Sequence, residues 1–421
     1  MPIVPVLLGV LFAQAALGLM TTLIPLLLLQ LDSSAPVIGI VASAYFLGFL
    51  GGALSADRIV RRVGHVRAFA VFAAAAADAA LLLVFARAAW EVGLLRLLIG
   101  YACSGLFLVA ESWLNDRADT GNRGRVLGAY LVVSWGASAV GPLALNVVRP
   151  TPLLFVWVGL AFATAVLPMA LTTQANPPVP QQAHIGIPRL FRISPVGVAC
   201  ALASGLLNSA FFSLTPIYLR RLGYGTPQVA AFASAAMVAG LAVQVPAGWL
   251  SDRIGRRRVT VAVLIAALAV AILLALAGRI PFIGLAALGF AFAGATAPLY
   301  GLGAGQVNDR MQRGDYVAAS GALLFTWSVG SSVGPGLAGG LMGFAGPPGL
   351  FLYLAGVVGV TALFTLARGL IRPGVAAEQR SAPVFSLAVP ARSVQLAARM
   401  MHSLRHPSES PALRAVLRRP R

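Results

Sequence analysis

Long apolar runs alternate with short polar connections along the whole chain. Runs occupy residues 6–29, 37–54, 68–87, 90–114, 126–148 and 152–172. A polar, proline-containing stretch at 173–194 precedes six more, at 195–219, 228–250, 259–278, 282–304, 317–343 and 349–367. Each is close to the roughly 20 residues that an α-helix needs to cross a bilayer. Inside hydrocarbon every backbone N–H and C=O must be paired within its own segment, so the runs predict helices. The pattern predicts an all-α polytopic membrane protein of twelve transmembrane helices. Residues 1–172 and 195–367 form two six-helix bundles, 173–194 a cytoplasmic central linker, and 368–421 a basic cytoplasmic tail. The first run is too long for a signal-peptide core and has no basic residue before it, so it reads as a span.

Composition agrees. Hydrophobic residues make up 59% of the 421, charged residues 10%, and the mean hydropathy is +0.86. A soluble surface of that size needs more charge. Cys103 and Cys200 both lie inside apolar runs, which excludes a disulfide framework. The net charge of +19 comes from arginine alone, and ten of the 31 arginines lie from Arg368 onward. If both termini are cytoplasmic, fifteen arginines fall in inner connections and five in outer ones, before the tail is counted. The positive-inside rule therefore places both termini in the cytoplasm of a cell-membrane protein, with arginines against anionic lipid. No basic module stands apart from the apolar runs, so nucleic acid is not an expected partner.

The two halves repeat each other. Asn115-Asp116-Arg117 and Asn308-Asp309-Arg310 are 193 residues apart, as are Gly141-Pro142 and Gly334-Pro335. Arg62-Val63-Gly64 and Arg253-Ile254-Gly255 are offset by 191. Three matches at nearly one offset, in equivalent places, point to a duplicated six-helix unit. The Gly-Pro pairs, with Gly330, Gly339 and Gly340 beside the second, put small residues on one helix face, which permits close helix contact and a local kink.

Asp78 and Arg96 are ionisable groups inside spans, where each costs about 3 kcal/mol. Counted at 1.5 Å per residue from the connection near residue 88, both lie some 10–15 Å deep, so they are candidates to pair. Arg96 is alternatively an anchor for an anionic group. His65, His184, His402 and His406 lie outside the apolar runs, and no catalytic or zinc-binding spacing occurs. A phosphate-binding loop needs a lysine that the chain lacks. Neither enzyme, metal nor cofactor is expected. In the tail, Val394, Ala398, Met401 and Leu404 share a helical face opposite Arg392, Arg399 and Arg405, which fits a surface-lying helix as well as a disordered segment.

The segment Gly248-Trp249-Leu250-Ser251-Asp252-Arg253-Ile254-Gly255-Arg256-Arg257 resembles the inner-loop motif of the major facilitator superfamily. Its first-half counterpart, from Gly51 through Asp57-Arg58 to Arg61-Arg62-Val63-Gly64, departs from the motif because its Asp is displaced. Arg96-x-x-x-Gly100 resembles a second motif of that family. Glu111-Ser112-Trp113-Leu114-Asn115 with Arg123-Gly124-Arg125, and Pro298-Leu299-Tyr300 with Asn308-Asp309, resemble the YcaD-like branch. The likeness covers about residues 1–370.

The resemblance implies a secondary transporter that moves a small organic solute by alternating access, as a monomer, in efflux or ion-coupled exchange. It implies contacts from Asp252 to the start of span five and from Asp57 to the start of span eleven. Asp57, Arg58, Arg62, Glu111, Asp116 and Arg117, and Asp252, Arg253, Arg256, Asp309 and Arg310, would form two cytoplasmic charge clusters that gate the pathway; the bland alternative is solvated charges that set topology. Spans one, four, seven and ten would line the cavity, through Gln14; Arg96, Tyr101 and Ser104; Asn208 and Phe212; and Phe292 and Thr296. Tyr130, Trp135 and Trp327 would add aromatic walls, while Asp78, Gly141, Pro142, Gly334 and Pro335 would be structural. A non-transporting sensor with the same fold, signalling through its basic tail, is the reading from another class.

Overall fold

Proline and glycine decide where the helices begin, break and touch. The computed structural model describes residues 3–116, 123–148, 150–172, 186–311 and 315–371. Among these residues there is no strand, and the helices are α1 (Val4–Gln30), α2 (Ala35–Val63), α3 (His65–Leu82), α4 (Ala89–Asp116), α5 (Arg123–Val140), α6 (Leu154–Ala170), α7 (Ile187–Ile193), α8 (Pro195–Arg221), α9 (Thr226–Ile254), α10 (Arg256–Leu276), α11 (Phe282–Thr296), α12 (Leu299–Asn308), α13 (Tyr316–Ala345) and α14 (Gly349–Ile371). Ten helical stretches are long and apolar enough to cross a membrane, with α11 and α12 taken together; α6 is apolar but has 17 residues. The tail helix, Arg117 and most of the linker lie outside the described residues.

Proline opens α1, α2, α7, α8 and α9 in the first turn, where its missing N–H costs nothing. Gly64 ends α2 and Gly255 ends α9 with φ of 83° and 108°, in a region that a side chain disfavours. These two glycines are the 191-residue repeat, and each turns the chain straight into the next helix. The predicted span at 282–304 is instead two helices, because Pro298 supplies no N–H to continue α11. The two Gly-Pro pairs also differ. At Gly141-Pro142 the α-helix gives way to a 3-10 segment, Gly141–Asn146, whereas Pro335 lies inside an unbroken α13.

Glycine sets how closely helices approach. A Cβ on Gly48 of α2 would sit 1.9 Å from Leu97 O of α4, and one on Gly100 of α4 would sit 1.9 Å from Tyr45 O of α2. The same device joins α1 to α5, where a Cβ on Gly18 would meet Ser138 O at 2.2 Å, and α8 to α13, where Gly205 faces Trp327 O at 2.2 Å. These two contacts join equivalent pairs of helices in the two halves. Lipid tails are as apolar as leucine, so such small-residue contacts carry much of helix association in a membrane.

First-half and second-half helices meet mainly through α2 and α13. A Cβ on Gly39 would lie 2.3 Å from Pro335 O, and one on Gly339 would lie 2.6 Å from Ala35 O. Pro335 removes one bond from the α13 ladder, and the next N–H, that of Gly336, donates to Ser43 Oγ across the seam at 3.1 Å. This seam lies toward the end of the bundle that carries the α1–α2 connection.

Gly100→Ala is expected to lower stability by about 1–3 kcal/mol, since its Cβ would strike backbone that moves only if α2 and α4 part. Gly136→Ala is the control, because a Cβ there meets nothing within 4 Å. Thermal unfolding of the two variants checks this: equal midpoints would contradict the packing account.

Candidate functional site

Three groups of side chains stand where chemistry is expected. The first lies between the chain halves. Trp327 of α13 packs on Phe46 and Phe49 of α2, with ring centroids 6.2 and 6.0 Å apart. Trp135 of α5 lies against α9, so close that a Cβ on Gly240 would meet its ring at 2.8 Å. The two tryptophans are 192 residues apart in the sequence and reach into the opposite half in mirror fashion. Beside them, Tyr130 Oη donates to Glu111 Oε1 at 3.1 Å, and Glu111 is exposed.

The other predicted lining residues divide. Gln14 meets Ser138 Oγ at 3.2 Å, Tyr101 Oη accepts from Ser55 at 3.1 Å, and Asn208 donates to Ser204 Oγ at 3.1 Å. These three and Phe212 are half-buried. Ser104 is buried where α4 meets Gly52 of α2. Phe292 and Thr296 do not fit the expected lining. Phe292 is fully buried against Phe211, 5.1 Å away, and Thr296 hydrogen-bonds back to Phe292 O at 3.0 Å. Both side chains face the second-half core.

The second group is Arg96. It is buried, with its guanidinium carbon 4.6 Å from the Tyr45 ring centroid. The pairing with Asp78 inferred from depth is not formed: Asp78 lies on the exposed face of α3, whereas Arg96 turns into the α2–α4 contact. Equal depth on neighbouring helices does not fix the rotation about each axis. The buried Nε of Arg96 has no hydrogen-bond partner among the described residues.

The third group is ionic and lies at the end opposite the Gly39–Gly339 seam. Arg256, the first residue of α10, is held between Asp252 at 3.5 Å and Asp309 at 2.9 Å. Arg256 and Asp309 are each 5% exposed. Gly305 makes room for the guanidinium, since a Cβ there would meet Nη1 at 1.9 Å. Around this centre Gln306 donates to Thr260 Oγ1 at 3.0 Å, Arg310 donates to Gln306 O at 3.3 Å, and Arg253 stacks on Trp249 at 3.8 Å.

The described part of the first-half cluster is arranged differently. Asp57 pairs with Arg61 on its own helix at 2.7 Å, with side chains 14% and 51% exposed, and not with the start of α13. Arg58, Arg62 and Asp116 are exposed. At the place of Arg256 stands His65, 191 positions earlier, buried and within 3.0 Å of Ser112 Oγ. The sequence reading set His65 aside as a loop residue. The signal was present, because extending the Arg62-Val63-Gly64 match by one residue aligns His65 with Arg256.

These features have a known setting. The sequence profile described as Major Facilitator Superfamily matches residues 6–243 and again 226–421. The chain belongs to the Major Facilitator Superfamily. It is similar to the uncharacterised MFS-type transporter YcaD of Escherichia coli and of Shigella flexneri, at 29% identity over 368 residues, 85% of this chain and 93% of the relative. The fold resembles a bacterial homologue of the human lysosomal transporter Spinster, inward-facing and unoccupied, with a TM-score of 0.72 at 15% identity over 91% of this chain and 98% of that one. It also resembles a mutant form of the nucleoside transporter NupG, with a TM-score of 0.73 at 14% identity over 87% and 99%. The protein is thus a multi-pass membrane transporter of the YcaD-like branch, and its family consists of transporters, not enzymes. That does not favour the sensor reading.

Removing one partner of a buried ion pair leaves the other charge uncompensated, at a cost of about 3–5 kcal/mol. Asp309→Ala is therefore expected to destabilise the facilitator by roughly 3 kcal/mol. Asp57→Ala, at an exposed pair, should cost about 0.5 kcal/mol. Comparison of thermal midpoints checks it, and equal losses would mean that the two clusters are alike.

Proposed function

We propose that the protein is a secondary active transporter that moves a small organic solute by alternating access, in efflux or ion-coupled exchange. Adding α6 and α13 to the ten apolar stretches gives twelve spans, arranged as six-helix bundles at 1–172 and 195–367. The arginine asymmetry supports cytoplasmic termini, a cytoplasmic linker at 173–194 and a tail beyond residue 367. The end with the Asp252–Arg256–Asp309 cluster is then cytoplasmic, and the α2–α13 seam closes the outer side. An ion gradient supplies the energy, and the protein works as a monomer without a cofactor.

One observation carries the choice of solute: Arg96 is a buried cation within a span whose described contact is an aromatic ring and not a carboxylate. A guanidinium in that setting gains from an acceptor brought by a ligand. The solute is accordingly anionic or rich in acceptors. Tyr101, Asn208, Phe212, Tyr130 and the tryptophan pair add a mostly apolar wall with few polar anchors, which suits an amphipathic molecule. Rearrangement of the charge clusters opens and closes the cytoplasmic side.

A thermal-shift screen of purified protein against small organic anions and cations, followed by liposome flux with the hits, tests the assignment. An anionic hit is expected to be transported. Arg96→Lys keeps the charge but loses the planar fork, and should weaken binding about tenfold. Arg96→Ala should abolish binding in protein that still folds. Because Asp78 and Arg96 do not touch, the double change to Ala should add the separate effects on stability. Preference for cations, or full binding by Arg96→Ala, would overturn the proposal.

A further inference from the structure

Away from the inter-half surface, three arginines converge on one cavity. Arg257 near the start of α10, Arg310 just after α12 and Arg368 near the end of α14 line a space of about 290 Å³, with Pro195 and Val196 at the start of α8 and Ile371 completing the wall. These come from four helices distant in sequence, so the convergence is a product of the fold and not of a basic run. Arg368 carries a buried Nε without a hydrogen-bond partner among the described residues, and its guanidinium carbon lies 5.8 Å from the Phe364 ring centroid. Arg257 reaches across from α10 to α14, where a Cβ on Gly369 would sit 3.6 Å from Arg257 Nη1.

Three guanidinium groups around one cavity present many N–H donors in fixed forks, which match the oxygens of a phosphate better than those of a neutral group. The N-terminus of α8 adds positive potential on the same wall. The volume holds about ten waters at roughly 30 Å³ each, room for a phosphate with part of its carrier. What lies beside the cavity narrows the carrier. Ile371, which lines the cavity, and Val360 on the same face of α14 are 70% and 69% exposed, so apolar surface continues from the cavity along that helix.

We propose that this cavity binds a phosphate-bearing anion, and that its occupant is the headgroup of an anionic phospholipid whose acyl chains lie along α14. The site sits at the cytoplasmic end, level with the charge cluster at the end of α9, the start of α10 and the end of α12, so a bound lipid braces the second-half helices where they meet the membrane surface. The inference rests on the membrane-spanning, cytoplasmic-end reading above but not on solute transport. Absence of flux would leave it standing, and loss of lipid binding would leave the transport proposal standing.

The test is titration of the full-length detergent-purified protein with phosphatidylglycerol, phosphatidylcholine and inorganic phosphate, read by native mass spectrometry and thermal midpoint. Phosphatidylglycerol is expected to bind more tightly than phosphatidylcholine and to raise the midpoint. Arg257→Gln with Arg368→Gln should weaken phosphatidylglycerol binding about 25-fold, each arginine giving about fivefold. Arg67→Gln with Arg125→Gln removes two exposed arginines elsewhere at the same end and should leave tight binding in place. If the glutamine variant fails to fold, Arg257→Lys with Arg368→Lys keeps both charges, and it should still lose preference for the phosphate headgroup. Equal binding of both lipids, or equal loss in the control variant, would overturn the site. Full stabilisation by inorganic phosphate at matched concentration would overturn the lipid and assign a soluble phosphate compound.

Discussion

The close approach of α2 and α13 is the contact on which the rest of this architecture depends. In lipid no hydrophobic force drives one apolar helix onto another, so the two chain halves are held by backbone proximity at small residues. Gly39 against Pro335 and Gly339 against Ala35 bring main chains to distances that a Cβ would forbid, and the Gly336 N–H donates to Ser43 where the helical ladder is interrupted. The seam combines glycine, proline and one side-chain hydrogen bond at one end with Trp327 packed on Phe46 and Phe49 further along the same two helices. The α2–α4 interface inside the first half uses the same device, with Gly48 under Leu97 O and Gly100 under Tyr45 O.

The charged end complements that seam. Arg256 is anchored by Asp252 and Asp309, and Gly305 yields space for it, so the second half holds a preformed ionic knot. The first half repeats the backbone, down to the positive φ at Gly64 and Gly255, but puts His65 where the arginine would be. Duplication has preserved the turn while the chemistry diverged. The tryptophans at 135 and 327 are the opposite case, since both the place and the inter-half role are kept.

Much of this was legible in the chain. Apolar runs gave the helices, proline placed their starts, and the repeated Asn-Asp-Arg and Gly-Pro offsets gave the internal symmetry. Failures came where axial position was known but rotation was not. Asp78 and Arg96 share a depth, yet one faces outward and the other faces α2. Phe292 and Thr296 sit at the expected level to line a cavity, yet both face the second-half core, and α11 ends just beyond them before Pro298. A hydropathy run cannot register such a break, because proline hardly alters the mean. The arginine cavity escaped for another reason: Arg257, Arg310 and Arg368 meet only when four helices are packed.

The central claim is that the two halves rock about this seam, and spin-label distances measure that directly. Labels at positions 67 and 320 report the charged end, and labels at 87 and 279 report the seam end; all four native residues are exposed, whereas Cys103 and Cys200 are buried. The account predicts two distance populations at each end, with Asp252→Asn shifting both so that the charged end widens as the seam end narrows. A single population at both ends, unmoved by that substitution in folded protein, would contradict it.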